Sequence, residues 1–249
     1  MRPIERGASP QAQDFDNYRD AFGPLQGHLG PYCCYCERRI PTQLAVEHIQ
    51  AKGLPQYADR IGRWDNFLLG CVNCNGTKKD KDVLLHAIFL PDRDNTAAAF
   101  DYTPDGKVVP ALNLTDGQRQ IADDTLALTG LDKNPNEVAD ENGKAVAVDR
   151  VRQRMEAWLT AQTSKDDLHD SPTPELRRQI VKTAQATGFF SIWMKVFEND
   201  PITRRLLIHG FVIQGHFFGF SGTASDCFDQ DTQLVSPRPA NGLTHGSKI

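Results

Sequence analysis

The apolar residues of the chain follow two different spacings, and the change between them divides the sequence. In the N-terminal part, short apolar runs bounded by turn residues predict β-segments at residues 37–49 and 64–70. The stretch 50–63 between them is expected to be a loop or a short helix, and a helix or turn is expected from Asn75. From residue 116 onward, apolar residues recur every three or four positions, which predicts helices. The pattern therefore predicts an α+β protein.

Turn residues place the boundaries of the first elements. The Gly-Pro pair at 23–24 predicts the end of a short helix over residues 14–22. A β-hairpin is predicted over residues 100–109, with Pro-Asp-Gly at its tip. We place a boundary close to this hairpin, between an N-terminal unit of residues 1–95 and a mainly helical region of residues 96–249.

The helical region carries clear start and stop signals. Gly130 predicts the end of one helix, and Thr173 and Asp200, each followed by proline, predict the starts of two others. The segment 189–197 is apolar enough for the core, whereas the polar, Pro- and Gly-rich segment 229–249 is expected to be a loose tail. The apolar face predicted for the helix before Thr173 consists of Val148, Val151, Met155, Trp158 and Leu159.

Composition and charge narrow the class of protein. The 249 residues are 39% hydrophobic and 24% charged, as in soluble globular proteins. No secretory signal is evident and no apolar run approaches the ~18 residues of a membrane span, so we expect a cytoplasmic protein. Residues 1–86 carry 11 Lys and Arg against 10 Asp and Glu, and the remainder carries 17 against 22. A nuclease of this charge would need local positive groups or a partner to hold DNA.

Four of the six cysteines form two Cys-x-x-Cys pairs, Cys33 with Cys36 and Cys71 with Cys74, separated by 34 residues. Each pair lets two thiolates reach one metal from a single turn, and two pairs complete the tetrahedral shell of structural zinc. Because a closed shell of four sulfurs has no open position, this metal is not expected to perform chemistry.

The cysteine pairs also allow a redox interpretation, and two further cysteines lie outside the pairs. A redox dithiol is disfavoured because two pairs are present and a thioredoxin-like βαβ setting is missing. Cys34 abuts the first pair and could exchange into the metal shell, although the two-residue spacing selects Cys33 with Cys36. Cys227 is expected to be a buried apolar residue, because free cysteine is among the most buried residue types.

Glu47-His48-Ile, Asn66-Phe-Leu-Leu and Asn75-x-x-Lys78 lie between and after the cysteine pairs. With the cysteines, this series resembles the HNH endonucleases that have a zinc-bound ββα-metal core, over about residues 30–82. The strings MRPIERG, PYCCYCERRI and GTASDCFD resemble, more narrowly, the PtuB-type nucleases of Septu and retron-associated anti-phage systems. The resemblance implies a small zinc-stapled ββα-metal nuclease core, and a helical C-terminal region that docks an ATPase partner of PtuA type.

The resemblance also implies roles for single residues. His48 would be the general base that takes a proton from the attacking water. Glu47 and Asn75 would hold a catalytic Mg²⁺ or Mn²⁺, since hard cations prefer oxygen ligands. Asn66 would position the imidazole and complete the catalytic set. The residues expected to contact nucleic-acid phosphates are Lys78, Lys79 and Arg63.

Plainer interpretations stay open for each of these residues. Glu47 could be a solvated surface acid, Asn75 the N-cap of a helix and Asn66 a turn residue. The basic residues could form a solvated face. We therefore expect a metal-dependent HNH endonuclease acting on nucleic acid, with DNA as the preferred substrate. The alternatives are a non-catalytic zinc module that binds DNA or protein, and a stand-alone HNH nuclease of restriction type.

Overall fold

Short antiparallel strand pairs and helices alternate along the chain. The computed structural model describes residues 1–133 and 141–249, and in the second range it describes side chains from residue 149 onward. The strands are β1 (Leu44–His48), β2 (Phe67–Cys71), β3 (Phe100–Tyr102), β4 (Val108–Pro110), β5 (Phe211–Ile213) and β6 (His216–Phe218). The helices are α1 (Phe22–Leu29), α2 (Val72–Lys78), α3 (Thr96–Ala99), α4 (Asp116–Thr129), α5 (Glu141–Asp170), α6 (Pro174–Thr187), α7 (Phe190–Val196) and α8 (Pro201–His209). The architecture is a mixed α+β fold, as predicted.

Strands β1 and β2 pair antiparallel and lead directly into helix α2. In this register His48 lies opposite Phe67 and Glu47 lies opposite Leu68. Cys71 ends β2 and caps α2, because its sulfur accepts a hydrogen bond from the Cys74 amide. The second cysteine pair therefore forms the turn from strand to helix.

The strands are shorter than the sequence predicts. The prediction of a loop or short helix between them is confirmed, since Pro55–Arg60 forms a 3₁₀ helix. A second 3₁₀ turn, Trp64–Asn66, occupies the predicted start of the second strand. Through these two turns the chain returns from the end of β1 to the start of β2, which pairs with β1.

The short helix predicted over residues 14–22 does not form as predicted, and Gly23-Pro24 does not end it. A 3₁₀ turn over Tyr18–Ala21 precedes α1, and Gly23 and Pro24 lie in the first turn of α1. Proline fits there because the first amides of a helix have no partner within the helix. The predicted end of one helix is therefore the beginning of another.

Several predicted boundaries are confirmed. β3 and β4 form the predicted hairpin. Gly130 ends α4 in a left-handed conformation with φ of 65°, which glycine adopts without steric strain. The side chains of Thr173 and Asp200 accept hydrogen bonds from the first-turn amides of α6 and α8. The segment 189–197 is buried as predicted, largely as α7.

The buried face of α5 differs from the predicted one. Met155 and Leu159 are exposed, and the side chain of Val148 lies outside the described residues. The residues that α5 buries are instead Arg150, Arg154, Ala157, Ala161 and Leu168. The prediction is right in part, since Val151 and Trp158 are half-buried and Trp158 packs against the hydrophobic core. It missed Arg150 and Arg154, whose guanidinium groups find backbone carbonyls and sulfur inside the protein.

The segment 229–249 is not the loose tail that its composition suggested. Its Ile249 carbonyl accepts hydrogen bonds from the amides of Asn95 and Arg238, and Lys248 forms an ion pair with buried Asp94. The Arg238 side chain is buried and donates to the Ile4 carbonyl. Polar side chains therefore hold this segment against the core by hydrogen bonds.

Many contacts cross residue 95, where the sequence suggested a boundary. The Tyr32 hydroxyl donates to the Gln185 carbonyl over 2.7 Å, and the Tyr102 hydroxyl donates to Glu37 over 3.0 Å. One hydrophobic cluster contains residues from both sides. The division at this point stays a prediction. None of the helices in the described ranges combines the length and the apolar character that crossing a bilayer requires.

Candidate metal centre and active site

Four buried cysteine sulfurs meet at one point. The Sγ atoms of Cys33, Cys36, Cys71 and Cys74 all lie within 4.8 Å of one another. The Cys36 and Cys71 sulfurs are 3.8 Å apart, which is about the edge of a tetrahedron with Zn–S bonds of about 2.3 Å. The cluster fits a zinc ion, as the spacing predicted. The four ligands close the shell, so the metal here would be structural.

The cluster is surrounded by hydrogen-bond donors. The amide of Cys71 donates to the Cys33 sulfur and the amide of Cys74 donates to the Cys71 sulfur, each over 3.4 Å. The Arg150 guanidinium, 2% exposed, lies 3.8 Å from the Cys74 sulfur. The Arg38 guanidinium lies 3.7 Å from the Cys71 sulfur. Because zinc with four thiolates carries a net charge of −2, buried Arg150 and partly buried Arg38 beside it offset a charge that burial would otherwise make unfavourable.

The two arginines also join the cluster to the helical region. Arg150 belongs to α5 and donates to the Gly130 carbonyl at the end of α4. Arg38 follows the first cysteine pair and forms an ion pair with Asp149 of α5 over 3.0 Å. Burial acts to lower the pKa of Arg38, but the negative charge of the Cys36 and Cys71 thiolates outweighs burial and raises that pKa. The cluster therefore connects three separate parts of the chain.

The two cysteines outside the cluster have different surroundings. Cys34 is buried, and its sulfur accepts a hydrogen bond from the Leu69 amide over 3.4 Å. Burial raises its pKa to about 12, and the same holds for buried Cys227. Cys34 therefore lies outside the set of four, as the spacing indicated, and the prediction that Cys227 is buried is confirmed.

Glu47 is a buried acid, so the interpretation of a solvated surface residue is wrong. Its side chain is 1% exposed. The Oε2 atom accepts a hydrogen bond from the Tyr35 hydroxyl over 2.7 Å, and Oε1 lies 2.8 Å from Lys78 Nζ. That close approach is an ion pair, and Oε1 makes no hydrogen bond within the described residues. One oxygen of Glu47 thus keeps unused acceptor capacity.

Asn75 lies near Glu47, and the space between them is open because residue 70 is glycine. A Cβ atom at Gly70 would be 2.9 Å from Glu47 Cβ and 3.7 Å from Asn75 Cβ. The two side chains therefore start on the same side of the β1–β2 sheet. Asn75 is an interior residue of α2, where Cys71 is the N-cap, so the capping role considered for Asn75 is wrong. Within the part of the chain that the structure describes, its carboxamide makes no hydrogen bond.

The donors around Gly70 suit a hard divalent cation, provided that Lys78 shares Glu47 Oε1 with the cation or moves away from it. A carboxylate oxygen without a hydrogen bond, a free carboxamide and the open space at Gly70 supply the donors that Mg²⁺ accepts. However, the Lys78 ammonium lies against the same carboxylate oxygen. A cation would share Glu47 Oε1 with Lys78 or displace it.

One ring nitrogen of His48 has no hydrogen-bond partner among the described residues. Its Nε2 lies 3.0 Å from the Ile61 carbonyl, and since a carbonyl only accepts, Nε2 carries the proton and Nδ1 is the acceptor. The imidazole is 7% exposed and lies edge-on to the rings of Tyr18 and Phe67. Burial lowers the pKa of His48, while the Ile61 carbonyl and Glu47 act in the opposite direction. The ring is therefore neutral near pH 7.

Asn66 ties together the two chain segments that flank His48. Its Oδ1 accepts a hydrogen bond from the Gln50 amide over 2.8 Å, and its Nδ2 donates to the carbonyls of Gln50 and Arg60. Ile61, the residue that holds the imidazole, comes directly after Arg60. The Asn66 side chain is buried and acts as a bridge between the end of β1 and the 3₁₀ helix.

The three basic residues predicted to contact phosphates separate into two groups. Lys78 is 2% exposed and donates to the His48 carbonyl over 2.8 Å in addition to its ion pair, so the prediction that it contacts nucleic acid is wrong. It is buried because it lies on the face of α2 that packs on β1. Lys79 is exposed, and half-exposed Arg63 forms an ion pair with Asp65.

Sequence reasoning missed the residues that support the site. Tyr35 lies inside the first cysteine pair, and nothing in its spacing predicts a bond to Glu47. Lys52 is exposed and lies over the Tyr18 ring, close to His48. Arg150 reaches the cluster from a sequence distance of 76 residues. The position of Arg38, two residues after Cys36, was the one available signal for a charge near the metal.

Comparison with known proteins adds no relative. A search against models of protein families and a search of curated proteins each found no match to this chain. The geometry of the described residues therefore carries the functional argument.

Replacing Arg150 should weaken zinc binding. We expect Arg150→Met to lower zinc affinity about 10- to 100-fold, the usual effect of losing a group that supports metal ligands. Competition with a chromophoric chelator measures this affinity. The matched control is Arg152→Met, because Arg152 is exposed on the same helix. Equal zinc affinity in the two variants would contradict the role given to Arg150.

Replacing Lys78 should destabilise the protein and improve its response to divalent cations. Lys78→Met leaves Glu47 buried without its cation, which should lower the free energy of unfolding by about 3–5 kcal/mol. Millimolar Mg²⁺ should restore more stability to this variant than to wild type, as measured by denaturant unfolding.

Lys79→Met serves as the control, since Lys79 is the exposed neighbour. If Mg²⁺ stabilised Lys78→Met no more than wild type and Lys79→Met, Glu47 would not be a cation ligand.

Proposed function

We propose that this protein is a metal-dependent endonuclease of the HNH type that hydrolyses phosphodiester bonds of nucleic acid, with DNA as the expected substrate. The observation that carries the proposal is the setting of His48. Its imidazole is neutral, is held through Nε2 by a backbone carbonyl and presents an unbonded Nδ1. The resemblance of residues 30–82 to the ββα-metal nucleases adds support.

In the proposed reaction His48 is the general base. Nδ1 accepts a proton from the water that attacks phosphorus, and the bond from Nε2 to the Ile61 carbonyl stabilises the imidazolium that results. Asn66 keeps the Ile61 carbonyl in place because it binds the neighbouring Arg60 carbonyl. Removing a general base typically slows a reaction by about 10² to 10⁴-fold.

Glu47 and Asn75 are the residues that would hold the catalytic cation. A bound Mg²⁺ or Mn²⁺ supplies neutralisation of the phosphate and of the departing 3′ oxygen. Tyr35 fixes the Glu47 carboxylate through its hydroxyl, and Lys78 balances its charge. Lys79 and Arg63, which have accessible side chains, would contact neighbouring phosphates. By resemblance, the products carry 5′-phosphate and 3′-hydroxyl ends.

One set of observations favours a second candidate, a non-catalytic zinc module. Glu47 and His48 are consecutive residues of β1 and so start from opposite faces of the sheet. Both side chains are also buried and bonded within the protein. In that candidate the two residues stabilise the fold and activity is absent. The experiments below distinguish the two candidates.

The defence role is also a proposal. The strings shared with PtuB-type nucleases suggest that residues 96–249 dock an ATPase of PtuA type. Exposed apolar side chains such as Met155 and Leu159 on α5 provide a surface suited to a protein partner. A chain that is fully active alone would instead support a stand-alone nuclease of restriction type.

Replacing His48 should abolish cutting and leave the scaffold intact. We expect His48→Ala to lose plasmid nicking by at least about 10²-fold in Mg²⁺ or Mn²⁺. Zinc content should stay close to wild type because the cysteine cluster is untouched, while the unfolding midpoint should fall because a buried, hydrogen-bonded imidazole is lost. Nicking is therefore measured at a temperature where both proteins are folded. His86→Ala is the matched control, since His86 is exposed and has no proposed role. Nicking retained by His48→Ala would refute the assignment.

The rate of cutting should rise with pH on the acid side. A general base acts when unprotonated, and burial lowers the pKa of His48 from 6.5. The midpoint of the rise in kcat/KM should therefore lie below pH 6.5. Lys52→Met should move the midpoint upward, because the Lys52 charge contributes to lowering that pKa. A midpoint above pH 6.5 in wild type would contradict His48 as the base.

A further inference from the structure

A second cavity lies in the helical region, and its lining residues Tyr102 and Ser191 bond to Glu37. A cavity of about 500 Å³ opens between β3, α7, α8 and the segment 228–234. Sites for small molecules typically measure 300–1,000 Å³ and combine apolar walls with a few polar groups. This cavity has that character, since its lining includes Phe190, Met194, Phe228, Lys195, Glu198 and Arg204.

Arg204 is the unusual group in this lining. Its side chain is 7% exposed, and its Nη1 atom donates to the Glu198 carbonyl over 3.2 Å. The Nε atom is buried and has no hydrogen-bond partner within the described residues. Burial lowers the pKa of Arg204, and the carboxylates of Glu198 and Asp229 act against burial. A buried N–H group without an acceptor is unfavourable, so an acceptor that reached Nε would be stabilising.

The other charged groups around the cavity do not fill this need. Lys195 lies 3.1 Å from the Glu198 carboxylate and 3.8 Å from the Asp101 carboxylate, so both carboxylates are engaged by Lys195 and the three groups carry a net charge of −1. No carboxylate of the described residues lies within ion-pair distance of Arg204. By contrast, buried Arg238 donates to two carbonyls and to Asp226. Arg204 thus has an unmet demand for an acceptor at the wall of a cavity.

We propose that this cavity binds a small organic anion, with its carboxylate or phosphate on Arg204 and its apolar body against Phe190, Met194 and Phe228. The planar guanidinium suits either head group, because both accept two parallel hydrogen bonds. The aromatic and thioether side chains provide an apolar surface for a ring or a short alkyl chain. This site does not depend on the proposed nuclease activity.

The test uses three probes of one shape on the full chain. Phenyl phosphate and phenylacetate carry the two head groups, and 2-phenylethanol is the neutral control. Titration calorimetry should show saturable binding of at least one anionic probe to wild type and much weaker binding of the alcohol. The tighter of the two anions then identifies the head group.

Two variants locate the binding. Arg204→Met should lower the affinity for the anionic probe roughly 10- to 100-fold, the loss expected for hydrogen bonds to a charged group. Arg178→Met is the control, because Arg178 lies exposed on α6 in an ion pair with Glu175. Ala97→Phe keeps Arg204 but fills the cavity, so it should lower the affinity for every probe. Absence of saturable binding to wild type, or unchanged affinity in Arg204→Met and Ala97→Phe, would overturn the proposal.

Discussion

The cluster of four cysteine sulfurs is the constraint on which the rest of the structure depends. It joins a turn before β1 to the junction of β2 and α2, so the two strands are held in register by their cysteines as well as by their ladder. The charge of a zinc–thiolate centre then requires cations, and Arg38 and Arg150 supply them. Since Arg150 belongs to α5 and also holds the end of α4, one electrostatic requirement orders much of the helical region.

Buried charge also organises the candidate active site. Lys78 forms an ion pair with the Glu47 carboxylate and donates a hydrogen bond to the His48 carbonyl, so a single ammonium connects α2 to the end of β1. The Asn66 side chain connects the segment after β1 to the 3₁₀ helix, because it bonds to the amide and carbonyl of Gln50 and to the carbonyl of Arg60. The imidazole is fixed by these bonds, and its free nitrogen follows from the Ile61 carbonyl. A rigidly held, neutral imidazole is suited to act as the base in hydrolysis at phosphorus, which is why we propose a nuclease.

Local signals in the sequence predicted local structure well. The cysteine spacing selected the right four sulfurs, and Gly130, Thr173 and Asp200 marked helix ends because capping acts within one turn. The errors concern charged residues with distant partners. Lys78 was expected to face solvent, and α5 was expected to bury an apolar stripe instead of Arg150 and Arg154. A one-dimensional pattern treats Lys and Arg as exposed, and only the tertiary fold reveals the sulfur, carbonyl or carboxylate that makes their burial favourable.

Anomalous diffraction from crystals soaked in Mn²⁺ locates zinc and a second cation separately. We predict a zinc peak among Cys33, Cys36, Cys71 and Cys74, and a manganese peak bound by Glu47 and Asn75 with Lys78 moved away from Glu47 Oε1. We also predict that His48 Nδ1 lies within reach of a water near that manganese. A zinc peak alone, with the Glu47–Lys78 ion pair unchanged at saturating Mn²⁺, would contradict the nuclease and leave a structural zinc module.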